Sequence, residues 1–433
     1  MTANTSRKTV VSGAAALVFL AGCVAWVFPI QTAAATGNWA LPSLSMAALA
    51  VALVLAADWP WLRGFVVVFA GTLVLAWART PDAHTSAPHF AGVSLGLLSM
   101  TLVGRFADSH DRLRVAMLAF LGGGLVVLVV GVIGADFQKL APFAAPLTRL
   151  LPTVSLGLAG LEKGHVNPNA LAASALLIAP LGASILVLRT DQTFDRLALL
   201  PLACVVLVTG LLVLTVSQSR SGWLAVWLTL VALLVFGLRS RVWRLVLGAA
   251  VVAPVLVAGA SVFLLARETF LLYADKVWST VHLRGLIMLS GLDRLSESPW
   301  LGIGLNQFRA VYALPLPVAS TSVGHAHNIL LQVALDIGVF GLAAYVCILG
   351  FLLARAVRIA SGPRTLASAA AVGAALSLVA VTAFGLADAV ALGAKIGLFQ
   401  WAAGGLILGA GRVDALVLPR AGQETGRPPE KPQ

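Results

Sequence analysis

Charge is scarce in this sequence. Only 11% of its 433 residues are Asp, Glu, Lys or Arg, against roughly 25% in an ordinary soluble domain. With 59% of residues apolar, a soluble globular protein is excluded. Intrinsic disorder is excluded as well, because such a chain has every reason to bury itself. Cysteine is nearly missing: Cys23, Cys204 and Cys347 each lie inside an apolar run, so they read as small hydrophobes and supply neither a disulfide framework nor a metal spacing. There is no internal repeat, and no low-complexity segment before the polar, proline-containing tail that follows Pro419. Acid is scarcer than base, 17 against 29, a formal balance of +12. That surplus suits nucleic acid, a membrane surface or an anionic substrate, and the placement of the charges has to decide among them.

What the chain does have is continuous apolar runs of membrane-spanning length. A helical span needs roughly 20 apolar residues, and unbroken runs imply helices, since helices and closed barrels alone satisfy their backbone in lipid. The runs predict an all-α integral membrane protein of about twelve spans: 10–30, 39–57, 64–79, 90–104, 113–134, 168–188, 197–216, 222–238, 244–266, 327–353, 366–386 and 392–411. The first run follows Arg7 and Lys8 like a secretory signal, but it is long and lacks a convincing small-residue cleavage site, so it reads as a retained span.

With both termini placed in the cytoplasm, 18 of the 29 basic residues fall in short inner loops and in the tail 412–433, as the positive-inside rule expects. The division of the chain is then spans one to five in 1–134, an outer loop 135–167, spans six to nine in 168–266, a large outer loop 267–326, and spans ten to twelve in 327–411. Most of the remaining basic residues gather in the two outer loops, and loops of this length are unusual without a function. His84, His89, His165, His282, His325 and His327, six of the seven histidines, share that side. Within the large loop, Leu283 to Glu297 carries apolar residues at 286, 289, 292 and 295, a spacing that suits an amphipathic helix at the interface.

Four outer segments combine charge with turn signals. Ser217 to Trp223 is a short polar turn holding Ser219, Arg220 and Ser221; its arginine either snorkels to the interface or grips an anion in its planar fork, with the serines and helix-start amides completing a cradle. Arg284 opens the amphipathic helix and is either a solvated charge or a ligand contact. His325, His327 and Asn328 precede a long apolar run that contains Asp336, Gly338 and Gly341; histidine is the side chain best suited to accept a proton near neutral pH, although structural satisfaction is the competing reading. Lys163, His165, Asn167 and Asn169 lie around an Asn-Pro-Asn turn, which reads as a helix cap or as substrate lining.

In this order the motifs resemble those of the bacterial O-antigen ligases and the wider ligase and polymerase superfamily. His327-Asn328, nine residues, then Gly338-Val-Phe-Gly341 is similar to that family's histidine motif, and Ser219-Arg-Ser-Gly-Trp223 to its arginine turn. Asn167-Pro-Asn169 with Leu171-Ala172, and Pro299-Trp-Leu-Gly-Ile-Gly304 with Phe308, resemble its other recurrent elements. Asp336 departs from the pattern, since the family often has Glu there.

The resemblance implies a GT-C-like, metal-independent and cofactor-free glycosyltransferase of the bacterial inner membrane. It would move O-antigen polysaccharide from undecaprenyl diphosphate to a lipid A-core sugar hydroxyl at the periplasmic face. An O-antigen polymerase and a protein O-oligosaccharyltransferase share the donor and are the nearest alternatives. A polysaccharide transporter or flippase ranks lower, because neither related halves nor midplane charges apart from Asp336 are evident.

The outer acids include no Asp-x-Asp, so arginine is the available counter-charge for a departing diphosphate. Arg220 and Arg284 are assigned to it, with Lys163 and Arg309 as weaker candidates. His327 is the expected general base because it fits the family spacing, His325 is its reserve, and Asn328 orients the base or caps the helix. Nucleic acid drops out as a partner; the bilayer, the lipid-linked donor and lipid A-core remain.

Overall fold

The computed structural model describes residues 40–137, 151, 154–155, 165–188, 193–237, 283–311, 324–388, 392–394 and 396–417. The expected spans 10–30 and 244–266, Lys163, and the tail beyond residue 417 lie outside the described residues. Within them the chain is helical: α1 (Ala40–Leu55), α2 (Pro60–Arg79), α3 (Ala83–Phe106), α4 (His110–Gly134), α5 (Pro168–Val187), α6 (Thr193–Ser217) and α7 (Arg220–Gly237) precede α8 (283–297), α9 (Ile329–Ala360), α10 (Leu366–Gly385) and α11 (Gly397–Val417). Seven of these, α2 to α6, α9 and α10, are long and apolar enough to cross a membrane, and α1 and α7 carry shorter apolar stretches.

Local chemistry sets the helix boundaries. Asn167 caps α5 by accepting from the Asn169 amide, and Pro168 takes the first helical position, where its missing N–H costs nothing. Thr365 and Ser368 form a capping box at the start of α10. Hydroxyls within the apolar helices return to carbonyls of the preceding turn, as Ser94 does to Phe90, Thr229 to Ala225 and Ser377 to Gly373. No hydroxyl in these three cases is left unpaired in an apolar surrounding.

Small residues bring the helices together. A Cβ on Gly96 of α3 would overlap the Trp401 indole of α11, and one on Gly405 of α11 would meet the Met100 carbonyl of α3 at 2.7 Å. Without a hydrophobic drive between helices in lipid, such close backbone approach supplies the packing energy. The alanine-rich α10 is buried along most of its length, and Ser184 of α5 donates to its Ala369 carbonyl at 2.8 Å. Leu233, late in α7, packs against Ala369, Val372 and Leu376, early in α10. The two helices are therefore antiparallel, which puts Arg220 at the same end of the bundle as Gly385.

The long helix α9 is broken at Gly338, which stands at φ 76°, ψ 176°. Two backbone hydrogen bonds are exchanged there. The Val339 amide donates to Pro299 O at 2.9 Å, and the Leu335 carbonyl accepts from Ile303 at 2.7 Å, so the chain at 299–304 is stitched into the kink. Gly302 and Gly304, at φ 71° and 106°, turn that chain; a Cβ on Gly338 would overlap the Trp300 carbonyl, and one on Gly302 the Leu335 carbonyl.

The helix expected at 283–297 is present, but its buried face is not the expected one. Ile287 and Gly291 are buried, with Leu283 and Leu295 packed on the same side against Phe308, Ala326, Leu331 and Leu335. Leu289 and Leu292 are instead 59% and 51% exposed. A spacing of four follows the packed stripe along a helix that docks on α9, whereas the spacing of three drifts off it.

Gly338→Ala combines a backbone conformation open essentially to glycine alone, costing about 1–3 kcal/mol in another residue, with a steric overlap. It is expected to lower the apparent Tm of the detergent-solubilised protein by several degrees. Gly350→Ala, further along the same helix where a Cβ meets nothing, is expected to leave Tm unchanged or raise it slightly in the same thermal-shift measurement.

Candidate active site

The short loop 324–328 enters α9 and is held from three sides. Ala326 is fully buried, and its amide donates to Gln332 Oε1 at 2.9 Å. Gln332 Nε2 in turn donates to Asp336 Oδ1 at 2.9 Å, which also accepts from the Asn306 amide at 3.1 Å. The other oxygen, Asp336 Oδ2, lies 3.3 Å from His89 Nε2 of α3. A buried carboxylate is tolerable when its lone pairs are met in this way.

Asn328 caps α9 by accepting from the Leu330 and Leu331 amides, both at 3.0 Å, and its Nδ2 donates to Leu386 O at 3.3 Å. That second bond ties the start of α9 to the turn that follows α10. The turn presents Asp388, which is 5% exposed.

Asp388 gathers the charged side chains. His327 Nδ1 lies 3.2 Å from its Oδ1, and Arg284 NH2 3.4 Å from its Oδ2, while Arg284 NH1 donates to Ala387 O at 2.8 Å. His327 has φ 51°, a left-handed conformation uncommon for a residue with a Cβ, and Asn328 and Asp388 on either side hold it there. The His325 and His327 rings meet edge to face with centroids 4.5 Å apart, and the His327 amide donates to His325 Nδ1 at 3.3 Å.

Burial first, then the neighbouring His327, and then Arg284 and Arg309 push the His325 pKa down to about 4 against the opposing pull of Asp388. A neutral His325 agrees with an Nδ1 that accepts a hydrogen bond. Arg309 is exposed, and its guanidinium lies over Gly324, where a Cβ would come within 2.8 Å of NH2.

The expected residues therefore divide. His325, His327, Arg284 and Asn328 are brought together, with Arg309 at the edge. Arg220 is exposed as the first residue of α7, at the same end of the bundle, and makes no hydrogen bond or ion pair with the cluster. The Ser219 hydroxyl accepts from the Gly222 amide and pairs with Ser221, both at 3.3 Å, so the two hydroxyls are engaged within the turn itself. Asn167 and Asn169 are engaged in the cap of α5. His165 forms part of the short bridge region joining Val166 to Ala135, and its Nδ1 is buried with no hydrogen-bond partner.

Asp388, His89 and Gln332 had no role from the sequence. The usable signal for Asp388 was an acid set within an apolar run, which is rarely without a partner or a task. His325, His327 and Asp388 offer three ligand atoms within 4.8 Å of one another, close enough to hold one cation. Arg284 already faces the same carboxylate, and this like charge opposes a divalent ion there.

The His325 ring is expected to stay neutral from pH 8 down to about 5. Because its pKa is lowered in the folded state, folding loses stability as pH falls from about 6.5 toward 4. Titration of ring-labelled histidines by NMR checks this; a His325 transition near pH 6.5, identified by its disappearance in His325→Asn, would contradict the burial.

No curated protein matches the sequence. Residues 205–346, about a third of the chain, match the family model described as O-antigen ligase. The matched stretch runs from α6 through the Arg220 turn, Arg284 and the 299–304 loop to both histidines and the Gly338 kink. The match over residues 205–346 supports a relationship to the O-antigen ligase family.

Proposed function

We propose that this protein is an O-antigen ligase: it transfers O-antigen polysaccharide from undecaprenyl diphosphate to a sugar hydroxyl of lipid A-core at the periplasmic face of the bacterial inner membrane. The observation that carries the reading is His327, anchored through Nδ1 on Asp388 with Arg284 fixed to the same carboxylate. With Asp388 accepting from Nδ1–H, the free lone pair lies on Nε2, on the other side of the ring. That nitrogen takes the acceptor proton. The acceptor oxygen bonds to the anomeric carbon as the bond to the diphosphate oxygen breaks, and undecaprenyl diphosphate leaves. Attack opposite the leaving group inverts the anomeric centre. Asp388 stabilises the imidazolium that forms, as a buried carboxylate beside a catalytic histidine does.

Negative charge grows on the leaving diphosphate, and positively charged side chains are the means of meeting it. Arg284 and Arg220 are assigned to the diphosphate, with Arg309 and Lys163 as outer contacts. Ser219 and Ser221 shape the turn that presents Arg220; His165, Asn167 and Asn169 border the same end of the bundle. Arg284 keeps guanidinium hydrogens beyond those used on Ala387 and Asp388, and its side chain is 26% exposed, so it can face a ligand while anchored. His325, neutral and packed against His327, withholds a second positive charge from the base.

The test is transfer by purified protein supplied with lipid-linked glycan and lipid A-core. His327→Ala is expected to reduce the rate by about 10²–10⁴-fold, the range of a lost general base. A chelator is expected to leave wild-type transfer unchanged. Full activity in His327→Ala with correct insertion, or strict loss on chelation, would overturn the scheme. Extension of the lipid-linked glycan without transfer to lipid A-core would identify the polymerase instead.

A further inference from the structure

The opposite end of the bundle carries a second concentration of charge that the transfer reaction does not use. Asp58, in the turn between α1 and α2, is bridged by Arg105 of α3 at 2.8 Å and by Arg412 of α11; Arg105 also donates to Leu55 O at 3.0 Å. Arg412 further lies over the Trp59 ring, 5.2 Å from its centroid. These arginines are both paired with a carboxylate.

Arg355, on the last turns of α9, is not. It is half-buried, its guanidinium rests on Gly411 of α11 where any Cβ would overlap it, and its Nε is buried with no hydrogen-bond partner. Arg358 and Arg412 repel it, and Asp414 attracts it without coming into ion-pair contact. Arg358 is exposed and has no ion pair among the described residues. The positive-inside rule accounts for exposed arginines near a span, but not for one drawn into a notch between two helices beside like charges. Such a group is costly unless an anion completes it. Trp61, 79% exposed at the same end, is the kind of residue that sits at headgroup level.

We propose that the notch between α9 and α11 at Gly411 binds the phosphodiester headgroup of an acidic phospholipid, with Arg355 as the anchoring fork and Arg358 as the outer contact. Gly411 is what admits the guanidinium between the helices. The lipid's acyl chains would lie along the apolar surface of α9, where Val357 is exposed. A basic recess between helices at headgroup depth is the usual form of such a site. This inference does not rest on the glycosyl-transfer reading, since none of its residues belongs to the histidine cluster.

The experiment uses the full chain in detergent, with thermal shift and intact-complex mass spectrometry on addition of phosphatidylglycerol, phosphatidylcholine of the same acyl chains, or inorganic phosphate. Phosphatidylglycerol is expected to raise Tm and to remain bound in the gas phase, and the other two to do neither. In Arg355→Gln the apparent Kd for phosphatidylglycerol is expected to rise at least tenfold while glycan transfer continues. Equal binding of the two phospholipids by the wild type overturns the proposal without recourse to a variant. Stabilisation by inorganic phosphate alone shows a free-anion site and overturns the headgroup assignment. Unchanged phosphatidylglycerol affinity in both Arg355→Gln and Arg358→Gln removes the notch as the site.

Discussion

The exchange of two backbone hydrogen bonds at Gly338 is the constraint on which the histidine end of the molecule depends. An uninterrupted α9 would pair the Val339 amide with the Leu335 carbonyl; here each is paired with the 299–304 chain instead. The exchange preserves the number of satisfied backbone groups while admitting a loop into a helix in an apolar surrounding, and a break whose backbone groups are re-satisfied and buried in protein is tolerated there. Once that loop is stitched in, the Asn306 amide reaches Asp336, and Phe308 reaches the packed face of α8. The helix that carries Arg284 and the helix that follows His327 are thereby set against each other. Asn328 then extends the arrangement to the turn after α10, and so to Asp388.

Two buried carboxylates divide the work. Asp336 is spent on structure: both of its oxygens are engaged, by His89 on one side and by Gln332 and the Asn306 amide on the other, and through Gln332 the chain of contacts ends on the Ala326 amide, next to both histidines. Asp388 faces the outer part of the same loop, with His327 and Arg284 as partners that are themselves only partly buried. Removing one partner from a buried pair costs about 3–5 kcal/mol because the other is left uncompensated. The inward pair therefore stiffens the loop, while the outward group keeps donors and a ring nitrogen available to a ligand.

Much of this was legible in the sequence, for reasons that are local. Long apolar runs locate the helices to within a few residues, as at His110–Gly134 and Leu366–Gly385, because hydropathy alone decides them. The histidine motif with its Gly338, Arg284 and the glycine-rich 299–304 segment were each recognisable, and the structure shows why Gly302 and Gly338 occur together: each supplies the space the other's backbone enters. What was not legible depended on distant contacts. Nothing near Asp388 announces that it faces His327 across 61 residues, or that His89 would pair with Asp336. The packed stripe on α8 differs from the one its spacing suggests because its partner, Leu331 and Leu335 of α9, is set by the kink rather than by the helix itself. Asn167 reads as a cap first and as lining second, and its side chain accepts from the Asn169 amide as a cap does.

The central claim is that Asp388 holds His327 for proton transfer without itself holding the donor. Single-turnover transfer from labelled lipid-linked glycan, with wild type and Asp388→Asn compared at saturating donor, tests this most directly. The account predicts that the chemical step slows by about a hundredfold or more while donor affinity stays within a few-fold of wild type. Equal single-turnover rates in the two proteins would contradict it.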